Sequence, residues 1–585
     1  YPPDAVYPPD AVYPLSLRLL CDSLCPNWDC LSSNTLTIEP VHTAREGNPE
    51  NMFPWQIDKL QHTLAISGAW LAFIGFLLLL NYLFRNHPAA ARPSPPLSRR
   101  KQYAAILVLS LCIAGNIAAY GWLASERHAR FNSTGYDLAI KEQVIWNSAH
   151  GRLFASSVEV ENVLADHFQP LMLALVPLYA LIPSPKLLLW VQTIGLAAGA
   201  IPVYRLARRR LNSAALALSL AAAYLLYPAI GFINRFDFHP EALAIPAFIF
   251  AFDALDRDDV RIASLWLLAP LLSKENLGIS IAAFGLYAVL FHRRIKFGLI
   301  WVGVGLATSS AAMFWLIPTL RRGPSDTLAR YSWLGENPMQ MVWTLITRPG
   351  YIWNNLVNLK HGLYLLQLLV PTGFLALVGL PELLLAAPGL MINLLAQHHC
   401  QAKIYCQYTV PIIPAIFIAT ITGLQRLKRI LKLRWTWYAI GLVITLLSIA
   451  ALRTDNPFTE AQSVPAPLAR LSNAQVVYQA LATVPATDSV VTTNAYAPHL
   501  AQREELYIIG IPTQREPPPD PDLVFINLYD QRFILCSQYR EYFTQLNIDR
   551  YGIIFRDAGL IVVRRDDGSN EGFRDFLLNW TDCAG

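Results

Sequence analysis

Long runs of apolar residues recur along this 585-residue chain, and they constrain its fold more than any other feature. Several contain roughly 20 residues, enough for a helix to cross a hydrocarbon layer about 30 Å thick. Because lipid offers no hydrogen-bond partners, a crossing segment must satisfy its own backbone groups as a helix. We therefore expect a mainly α, polytopic membrane protein with about twelve spanning helices and additional juxtamembrane helices. The expected spans are 62–84, 103–124, 187–206, 213–233, 241–256, 260–273, 277–292, 297–319, 361–380, 382–396, 409–423 and 436–452.

Arginine and lysine cluster in short segments between these runs. The segments are 99–101, 205–210, 293–296 and 426–434. Positive loops stay in the cytoplasm, so we expect all four inside the cell. A nucleic-acid surface is the alternative, but each cluster is confined between apolar helices, and we expect no nucleic-acid partner.

The remaining polar loops then lie outside the cytoplasm. They are 125–186, 234–240, 320–360, 397–408 and everything beyond 453. We interpret the apolar run 168–182 as a helix at the outer membrane interface, because a full crossing there would move 208–210 outside. With this choice, all the basic clusters remain inside.

The two ends of the chain differ in composition from its apolar middle. Residues 1–16 repeat Tyr-Pro-Pro-Asp-Ala-Val, and this much proline predicts an extended or disordered segment. β-rich runs, a hairpin at 552–565 and a helix at 537–547 predict a small soluble α/β domain at the C-terminus. The predicted organisation begins with an extracytoplasmic, partly disordered N-terminal extension at 1–61 and two membrane helices at 62–124. An outer loop with juxtamembrane helices at 125–186, a multi-span domain at 187–452 and the soluble extracytoplasmic domain at 453–585 follow.

Seven of the eight cysteines fall outside on this topology, where disulfides persist. They are Cys21, Cys25, Cys30, Cys400, Cys406, Cys536 and Cys583. The sequence has no paired CxxC spacing, and we predict no zinc site.

The outer loop 125–186 holds the most informative polar residues. Asp137 follows a membrane helix and could act as a general base that takes a proton from an acceptor hydroxyl. On a helix, Gln143, Trp146 and His150 would share one face, which suits a polyol ligand. A solvated acid beside an interfacial tryptophan is the alternative.

Two further clusters contain ionisable residues near the membrane boundary. Asp166 and His167 precede the interfacial helix and form a second candidate acidic site. The alternative is that Asp166 simply caps the N-terminus of that helix. Arg235, His239 and Glu241 share a tight turn between spans, and ionisable groups there are costly unless they are paired or used. We favour a functional role for this turn.

Cations outside the membrane form the last candidates. Lys274 could bind a phosphate as a point charge, with Glu275 as its partner or as a substrate ligand; a structural pair that closes a helical hairpin is the alternative. Arg330 and Tyr331 in the loop 320–360 could bind an anion. Tyr408 ends a polar loop that begins at Gln397-His398-His399, whose paired histidines are a weak metal signal.

These motifs carry a resemblance to a known family. Gly135-Tyr136-Asp137, Asp166-His167-Phe168-Gln169-Pro170, Phe236-Asp237-Phe238-His239-Pro240-Glu241, Lys274-Glu275-Asn276 and Tyr408 with Pro411 occur in order. Over about 125–565 the chain resembles the multi-pass prokaryotic membrane proteins of the domain-of-unknown-function family DUF2079. That family looks like the C-type-fold glycosyltransferases that depend on polyprenyl phosphate, which include protein mannosyltransferases and the lipid A aminoarabinose transferase.

The resemblance implies roles for individual residues. Asp137 would be the catalytic base, with Asp166 and its neighbour His167 assisting. Lys274, Arg330 and Tyr408 would hold the lipid phosphate. Some relatives use a divalent metal and others do not, and the residues leave both options open. The implied location is the plasma (inner) membrane of a prokaryote, with the C-terminal domain outside the cytoplasm.

We therefore expect a transferase that moves a sugar from a polyprenyl-phosphate carrier, embedded in the bilayer, to an extracytoplasmic acceptor. One alternative is a non-catalytic accessory subunit that uses the N-terminal extension and its helix to contact other membrane proteins. Another alternative is a transporter of a lipid-linked substrate.

Overall fold

A computed structural model describes most of the chain. The described residues are 59–69, 72, 75, 98–323, 326–398, 400–429, 434–459, 471, 473–510, 516–528, 530, 536–566, 572, 573 and 576. The predictions for residues 1–16, Cys21, Cys25, Cys30, His399, Cys583 and most of the span 62–84 lie outside these residues.

Most described residues are helical. The α-helices after the helical segment 59–69 are α1 Arg99–Ala129, α2 Ile140–Ala149, α3 Val176–Leu181, α4 Pro185–Ala198, α5 Ala200–Leu211, α6 Ala214–Leu225, α7 Pro228–Arg235, α8 Ala244–Asp256, α9 Val260–Leu271, α10 Leu277–His292, α11 Ile295–Ala311, α12 Ile317–Arg321, α13 Asp326–Ala329, α14 Pro338–Thr347, α15 Pro349–Leu356, α16 Leu359–Leu369, α17 Leu380–Leu383, α18 Ala387–Leu395, α19 Ile413–Leu427, α20 Arg434–Thr454, α21 Ala474–Leu481, α22 Ala497–Leu500 and α23 Cys536–Gln545.

Six helical stretches of the described residues are long and apolar enough to cross a membrane. They are Arg99–Ala129, Pro185–Leu211, Ala214–Arg235, Ile295–Arg321, Leu375–Leu395 and Trp437–Thr454. Four shorter apolar stretches are Pro170–Leu181, Val260–Leu271, Leu277–His292 and Ile413–Leu427. The mainly helical, membrane-protein character is confirmed, whereas the number of twelve spans remains a prediction.

Small residues let neighbouring helices approach closely. Gly278 on α10 lies against Gly305 on α11, and a Cβ atom on either glycine would overlap the carbonyl oxygen of the other. Close backbone approach of this kind strengthens helix packing where lipid removes the hydrophobic driving force. The α10–α11 hairpin therefore depends on both glycines.

Polar residues from several loops lie together before the first turn of α8, and we call this region the loop end. It contains Asp137, His167, His239, Glu241, Lys274, Glu275 and Tyr408. Towards the other end of α8, several arginines are paired with acids. Arg205 and Arg209 lie 3.1 and 2.9 Å from the carboxylate of Asp253, and Arg426 lies 2.7 Å from Glu382. This arginine-rich end thus consists largely of local ion pairs.

A five-stranded sheet forms the C-terminal domain. Its strands are β1 Val490–Thr492, β2 Leu506–Ile508, β3 Leu523–Asn527, β4 Tyr551–Asp557 and β5 Leu560–Arg565, in the order β2-β1-β3-β5-β4. β1 pairs in parallel with β2 and β3, while β5 is antiparallel to β3 and β4. The predicted hairpin at 552–565 and helix at 537–547 are present as β4–β5 and α23; β2 carried too short an apolar run to be predicted.

The C-terminal domain packs on the first polar loop. Phe131, Leu138 and Val144 share one buried apolar cluster with Tyr496 and Leu506. Such a continuous core fixes the loop against the domain. The position of the residues around 137 therefore depends on both parts of the chain.

Candidate functional site

Asp137 lies in a single turn of π-helix, Gly135–Ala139, that leads directly into α2. Such turns are rare and are frequent at functional sites. Its Oδ1 atom lies 3.0 Å from Nε2 of His239, and its Oδ2 atom lies 3.2 Å from Oγ1 of Thr134. The Asp137 side chain is 23% exposed and that of His239 only 3%, so Asp137 is the accessible member of the pair.

Several side chains fix the turn that carries His239. The His239 backbone N–H donates to Oε1 of Gln192 at 2.8 Å, and Nε2 of Gln192 donates to the Asp237 carbonyl at 2.6 Å. Asp237 has a φ of 56°, a conformation that strains a non-glycine residue. Its buried carboxylate pairs with Arg127 and accepts a 2.9 Å hydrogen bond from the backbone N–H of Thr134. The strained turn is therefore held from three separate elements.

The charge state of Asp137 follows from these neighbours. Burial alone would raise the pKa of its carboxyl group, but the interactions with His239, Lys141 and Thr134 together outweigh burial. The net result is a lowered pKa. Asp137 is therefore ionised at neutral pH and can accept a proton.

A buried ion pair lies two residues beyond His239. Nζ of Lys274 lies 2.7 Å from Oε1 of Glu241, and Oε2 of Glu241 accepts a 3.2 Å hydrogen bond from Nε2 of Gln169. Among the described residues, Glu241 uses one of the three donors on the Lys274 ammonium. The other donors can serve an anionic ligand.

Asp166 and His167 connect to the Lys274–Glu241 ion pair through Glu275. Its Oε1 lies 3.1 Å from Nδ1 of His167, whose Nε2 lies 3.6 Å from Asp166. Burial would raise the pKa of Glu275, but His167 and Lys274 lower it to about 2. Arg321 lies 3.9 Å from Asp166, which is 23% exposed. Asp166 is thus a second accessible carboxylate of the same network.

Tyr408 links Lys274 to a second cation, Arg330. Nη1 of Arg330 donates to the Tyr408 hydroxyl at 3.1 Å, and its guanidinium carbon lies 5.6 Å from the ring centre. Nζ of Lys274 lies 5.8 Å from the same ring centre. Tyr331 supports this arrangement, because its hydroxyl donates to the Ile392 carbonyl at 3.1 Å. Lys274 and Arg330 therefore lie on a shared aromatic ring.

Three predicted site residues lie elsewhere. The rings of Trp146 and His150 contact each other at a tilt of 36°, with their centres 4.2 Å apart. Trp146 lies nine residues beyond Asp137, about 13 Å along a helix. Arg235 donates to the Pro457 carbonyl at 3.1 Å and lies over Phe232. The face of α2 that includes Gln143 meets the C-terminal domain, so it does not line the network.

Sequence reasoning missed Thr134, Gln192 and Asn494. Oδ1 of Asn494, in the C-terminal domain, accepts hydrogen bonds from the backbone N–H groups of Gly135 at 2.6 Å and Tyr136 at 3.4 Å. A Cβ atom at Gly135 would overlap the end of the Ile508 side chain, so a larger residue there would displace that side chain. Because 359 residues separate Asn494 from Gly135, no local signal connects them.

Buried polar atoms without a hydrogen-bond partner concentrate around the network, within the described part of the chain. They include Gln169 Oε1, His239 Nδ1, Asn276 Oδ1, Gln401 Oε1, Gln407 Oε1 and Thr409 Oγ1. Such atoms are costly unless water or a polar ligand satisfies them. Together with two accessible carboxylates and two cations, they suit a ligand that bears hydroxyl and phosphate groups.

The described residues contain no group of three or more histidine, cysteine, aspartate or glutamate side chains arranged to hold a metal ion. The side chains of the network offer a carboxylate that accepts a proton and cations that stabilise an anion.

Comparisons with known proteins give a family match. The family described as "Predicted membrane protein (DUF2079)" matches residues 127–562. No curated protein matches the sequence. Similar solved structures include ArnT from Cupriavidus metallidurans bound to undecaprenyl phosphate, with a TM-score of 0.45 and 13% identity, covering 79% of this chain and 98% of that chain. The same protein in the apo state has a TM-score of 0.42 and 12% identity, covering 80% and 98%.

Proposed function

The chain belongs to the DUF2079 family of predicted membrane proteins, and from that premise we propose that it is an integral-membrane glycosyltransferase. In this proposal it moves a sugar from a polyprenyl-phosphate carrier to an acceptor outside the cytoplasm. The single observation that carries the proposal is one continuous polar network. It runs from the accessible, ionised Asp137 through His239 and Glu241 to Lys274, and across Tyr408 to Arg330.

Asp137 is the proposed catalytic base. The acceptor hydroxyl oxygen attacks the anomeric carbon of the sugar, and Asp137 takes the hydroxyl proton as this bond forms. His239 is a positioning residue, because it is buried and contacts the accessible carboxylate at 3.0 Å. Asp166 is proposed to bind a sugar or acceptor hydroxyl, with His167 and Arg321 holding its carboxylate in place.

Lys274 and Arg330 are proposed to bind the leaving group. As the bond between the anomeric carbon and the phosphate oxygen breaks, the electron pair leaves on the polyprenyl phosphate. Preorganised cations stabilise the charge that develops there, and they act strongly in a site that excludes water. The Tyr408 hydroxyl can donate a further hydrogen bond, and Glu241 holds Lys274 in place before the ligand arrives.

The loop end is proposed to face the outside of a prokaryotic plasma membrane. Two observations support this orientation. The arginine-rich end lies opposite, as positive-inside topology requires. Cys400 and Cys406 form a disulfide in a loop that also contributes Gln401 and Tyr408, and disulfides persist in oxidising compartments.

The test is sugar transfer by the purified protein in vesicles of phosphatidylethanolamine and phosphatidylglycerol. A panel of undecaprenyl-phosphate sugars serves as donor, an extract of bacterial envelope lipids and proteins supplies acceptor hydroxyl groups, and release of undecaprenyl phosphate is measured. We expect the wild type to release it from at least one donor and Asp137→Asn to lose about 100-fold or more of the rate. The exposed Asp557 on β4 supplies the control, because Asp557→Asn leaves the network intact.

A folded Asp137→Asn protein that transfers sugar at the wild-type rate contradicts the assignment. Binding of undecaprenyl phosphate without release from any donor favours a transporter instead. Failure to bind the lipid, with copurification of another membrane protein in fixed stoichiometry, favours an accessory subunit.

A further inference from the structure

A buried lysine links the N-terminal helical segment 59–69 to the loop that carries Tyr408. Nζ of Lys59 lies 3.1 Å from Oδ1 of Asp455 and donates to the Tyr405 hydroxyl at 2.8 Å. The side chains of Lys59 and Asp455 are only 11% and 6% exposed. The ammonium group thus connects this segment to residues that lie 346 and 396 positions further along the chain.

The cluster around Asp455 brings together four parts of the chain. Oδ1 of Asp455 accepts hydrogen bonds from the Tyr405 hydroxyl at 3.2 Å and from Nε2 of Gln367 at 3.0 Å. Gln367 belongs to α16, and Asp455 directly follows α20. The ring of Tyr405 packs edge-on against Phe232 of α7, with the ring centres 4.7 Å apart. Tyr405 is therefore held both by its hydroxyl group and by its ring.

Tyr405 and Tyr408 lie in one short, constrained segment. The disulfide between Cys400 and Cys406 closes the loop that contains Tyr405. Only Cys406 and Gln407 separate the two tyrosines. A shift of the backbone at Tyr405 would therefore carry the ring of Tyr408 with it.

Tyr408 is the ring on which Lys274 and Arg330 meet, and we call these three residues the phosphate site. We infer, on the basis of the proposed function, that Lys59 is a positioning residue for this site, because its ammonium group holds Tyr405 and thereby Tyr408. The N-terminal helical segment then contributes to lipid binding without contacting the lipid.

A buried ion pair suits this task better than it suits general stabilisation. Removing two charges from water costs much of what their attraction returns, so apolar residues of similar volume often stabilise a fold equally well. Charged hydrogen bonds are directional and about twice as strong as neutral ones. The contact with Lys59 therefore fixes the Tyr405 hydroxyl at one point.

Lys59→Met tests this link, because it removes the ammonium group and keeps a side chain of similar length. Binding of undecaprenyl phosphate to the full chain is measured by native mass spectrometry. We expect its Kd to rise about 10-fold, the size of effect that follows the loss of one hydrogen bond to a charged group. Lys296→Met alters an exposed lysine at the start of α11 and is the matched control, with an unchanged Kd.

The thermal unfolding temperature separates positioning from a purely structural role. Lys59→Met strands the Asp455 carboxylate, and Lys59→Met/Asp455→Asn removes that charge. We expect the double variant to regain the unfolding temperature and to keep the weakened affinity for the lipid. Recovery of both quantities together would show that Lys59 only stabilises the fold, and it would overturn the inference.

Tyr405→Phe provides a second route if Lys59→Met does not fold. It removes the hydroxyl group that Lys59 contacts and keeps the ring that packs on Phe232, so it should also raise the Kd. An unchanged Kd in either variant would overturn the inference and leave the proposed function standing. A wild-type protein that does not bind undecaprenyl phosphate would overturn both.

Discussion

Oδ1 of Asp137 lies 3.0 Å from Nε2 of His239, although 102 residues separate them in the sequence. Asp137 begins the first polar loop, whereas His239 follows α7 in a turn that Gln192 and Asp237 fix. The buried imidazole thereby orients an accessible carboxylate and favours its ionised form. Both the protonation and the direction of Asp137 depend on this contact.

His239→Ala should shift the pH dependence of sugar transfer. His239 opposes the effect of burial on Asp137, so its removal raises the pKa of the carboxyl group. Because the proposed base must be ionised, the acid limb of the pH–rate profile should move to higher pH. We also expect the rate at neutral pH to fall about 10-fold or more as Asp137 loses its orientation.

The exposed His150 provides the matched control, and His150→Ala should leave the profile unchanged. Initial rates across the pH range measure both variants. A lower rate for His239→Ala with an unmoved acid limb would indicate a role in folding alone.

Asn494 tests whether the C-terminal domain positions the base. Asn494→Leu leaves the backbone N–H groups of Gly135 and Tyr136 without their acceptor, at a cost of about 1–3 kcal/mol. We expect slower transfer with an unchanged affinity for undecaprenyl phosphate, because Lys274 and Arg330 are untouched. Asn494→Asp keeps an oxygen at the same position and should retain most of the rate. Equal losses of transfer rate in Asn494→Leu and Asn494→Asp would argue that Asn494 does not position Asp137.

The single variant Lys274→Met and the double variant Lys274→Met/Glu241→Gln should differ in thermal stability. Lys274→Met strands the buried Glu241 carboxylate, and breaking a buried pair costs about 3–5 kcal/mol. Adding Glu241→Gln removes the stranded charge, so the double variant should regain thermal stability. It should still fail to bind undecaprenyl phosphate, which native mass spectrometry can detect. Restored binding in the double variant would exclude Lys274 as a phosphate ligand.

Glu142 should make stability fall as pH rises. Its fully buried carboxyl accepts hydrogen bonds from Tyr179 and Gln502, and burial raises its pKa from 4.5 to about 8 despite both contacts. The folded protein therefore retains a proton that the unfolded chain releases near pH 4.5. Stability from this group decreases between about pH 4.5 and pH 8 and remains low above that window.

Glu142→Gln should remove this dependence and raise the thermal unfolding temperature most at alkaline pH. Glu161→Gln alters an exposed carboxyl of the same loop, and it should leave the pH dependence of the unfolding temperature unchanged. Parallel curves for Glu142→Gln and the wild type would show that Glu142 is ionised in the folded protein.

Local signals in the sequence predicted the secondary-structure elements but only part of the candidate site. Apolar length predicts spans, and the turn Asp557-Ala558-Gly559 predicts the β4–β5 hairpin, because both depend on neighbouring residues. Ionisable residues in apolar surroundings singled out Asp137, His239 and Lys274.

The other residues of the candidate site depend on tertiary contacts, which the sequence does not reveal. A shared helix face suggested Gln143, Trp146 and His150 as ligand residues, but a face does not reveal what it meets. Gln143 donates to the carbonyls of Arg503 and Glu504 at 3.1 and 3.2 Å and so binds the C-terminal domain. Asn494 had no sequence signal, because its role exists only once the domain and the loop are packed together.

The most direct test is a cryo-electron microscopy structure of the protein in lipid nanodiscs with undecaprenyl phosphate. We predict phosphate density within hydrogen-bond distance of Lys274 and Arg330, in the same polar network as Asp137. Phosphate bound at the arginine-rich end, or a loop-end network unchanged at saturating lipid with Lys274 paired only to Glu241, would contradict the proposed transferase site.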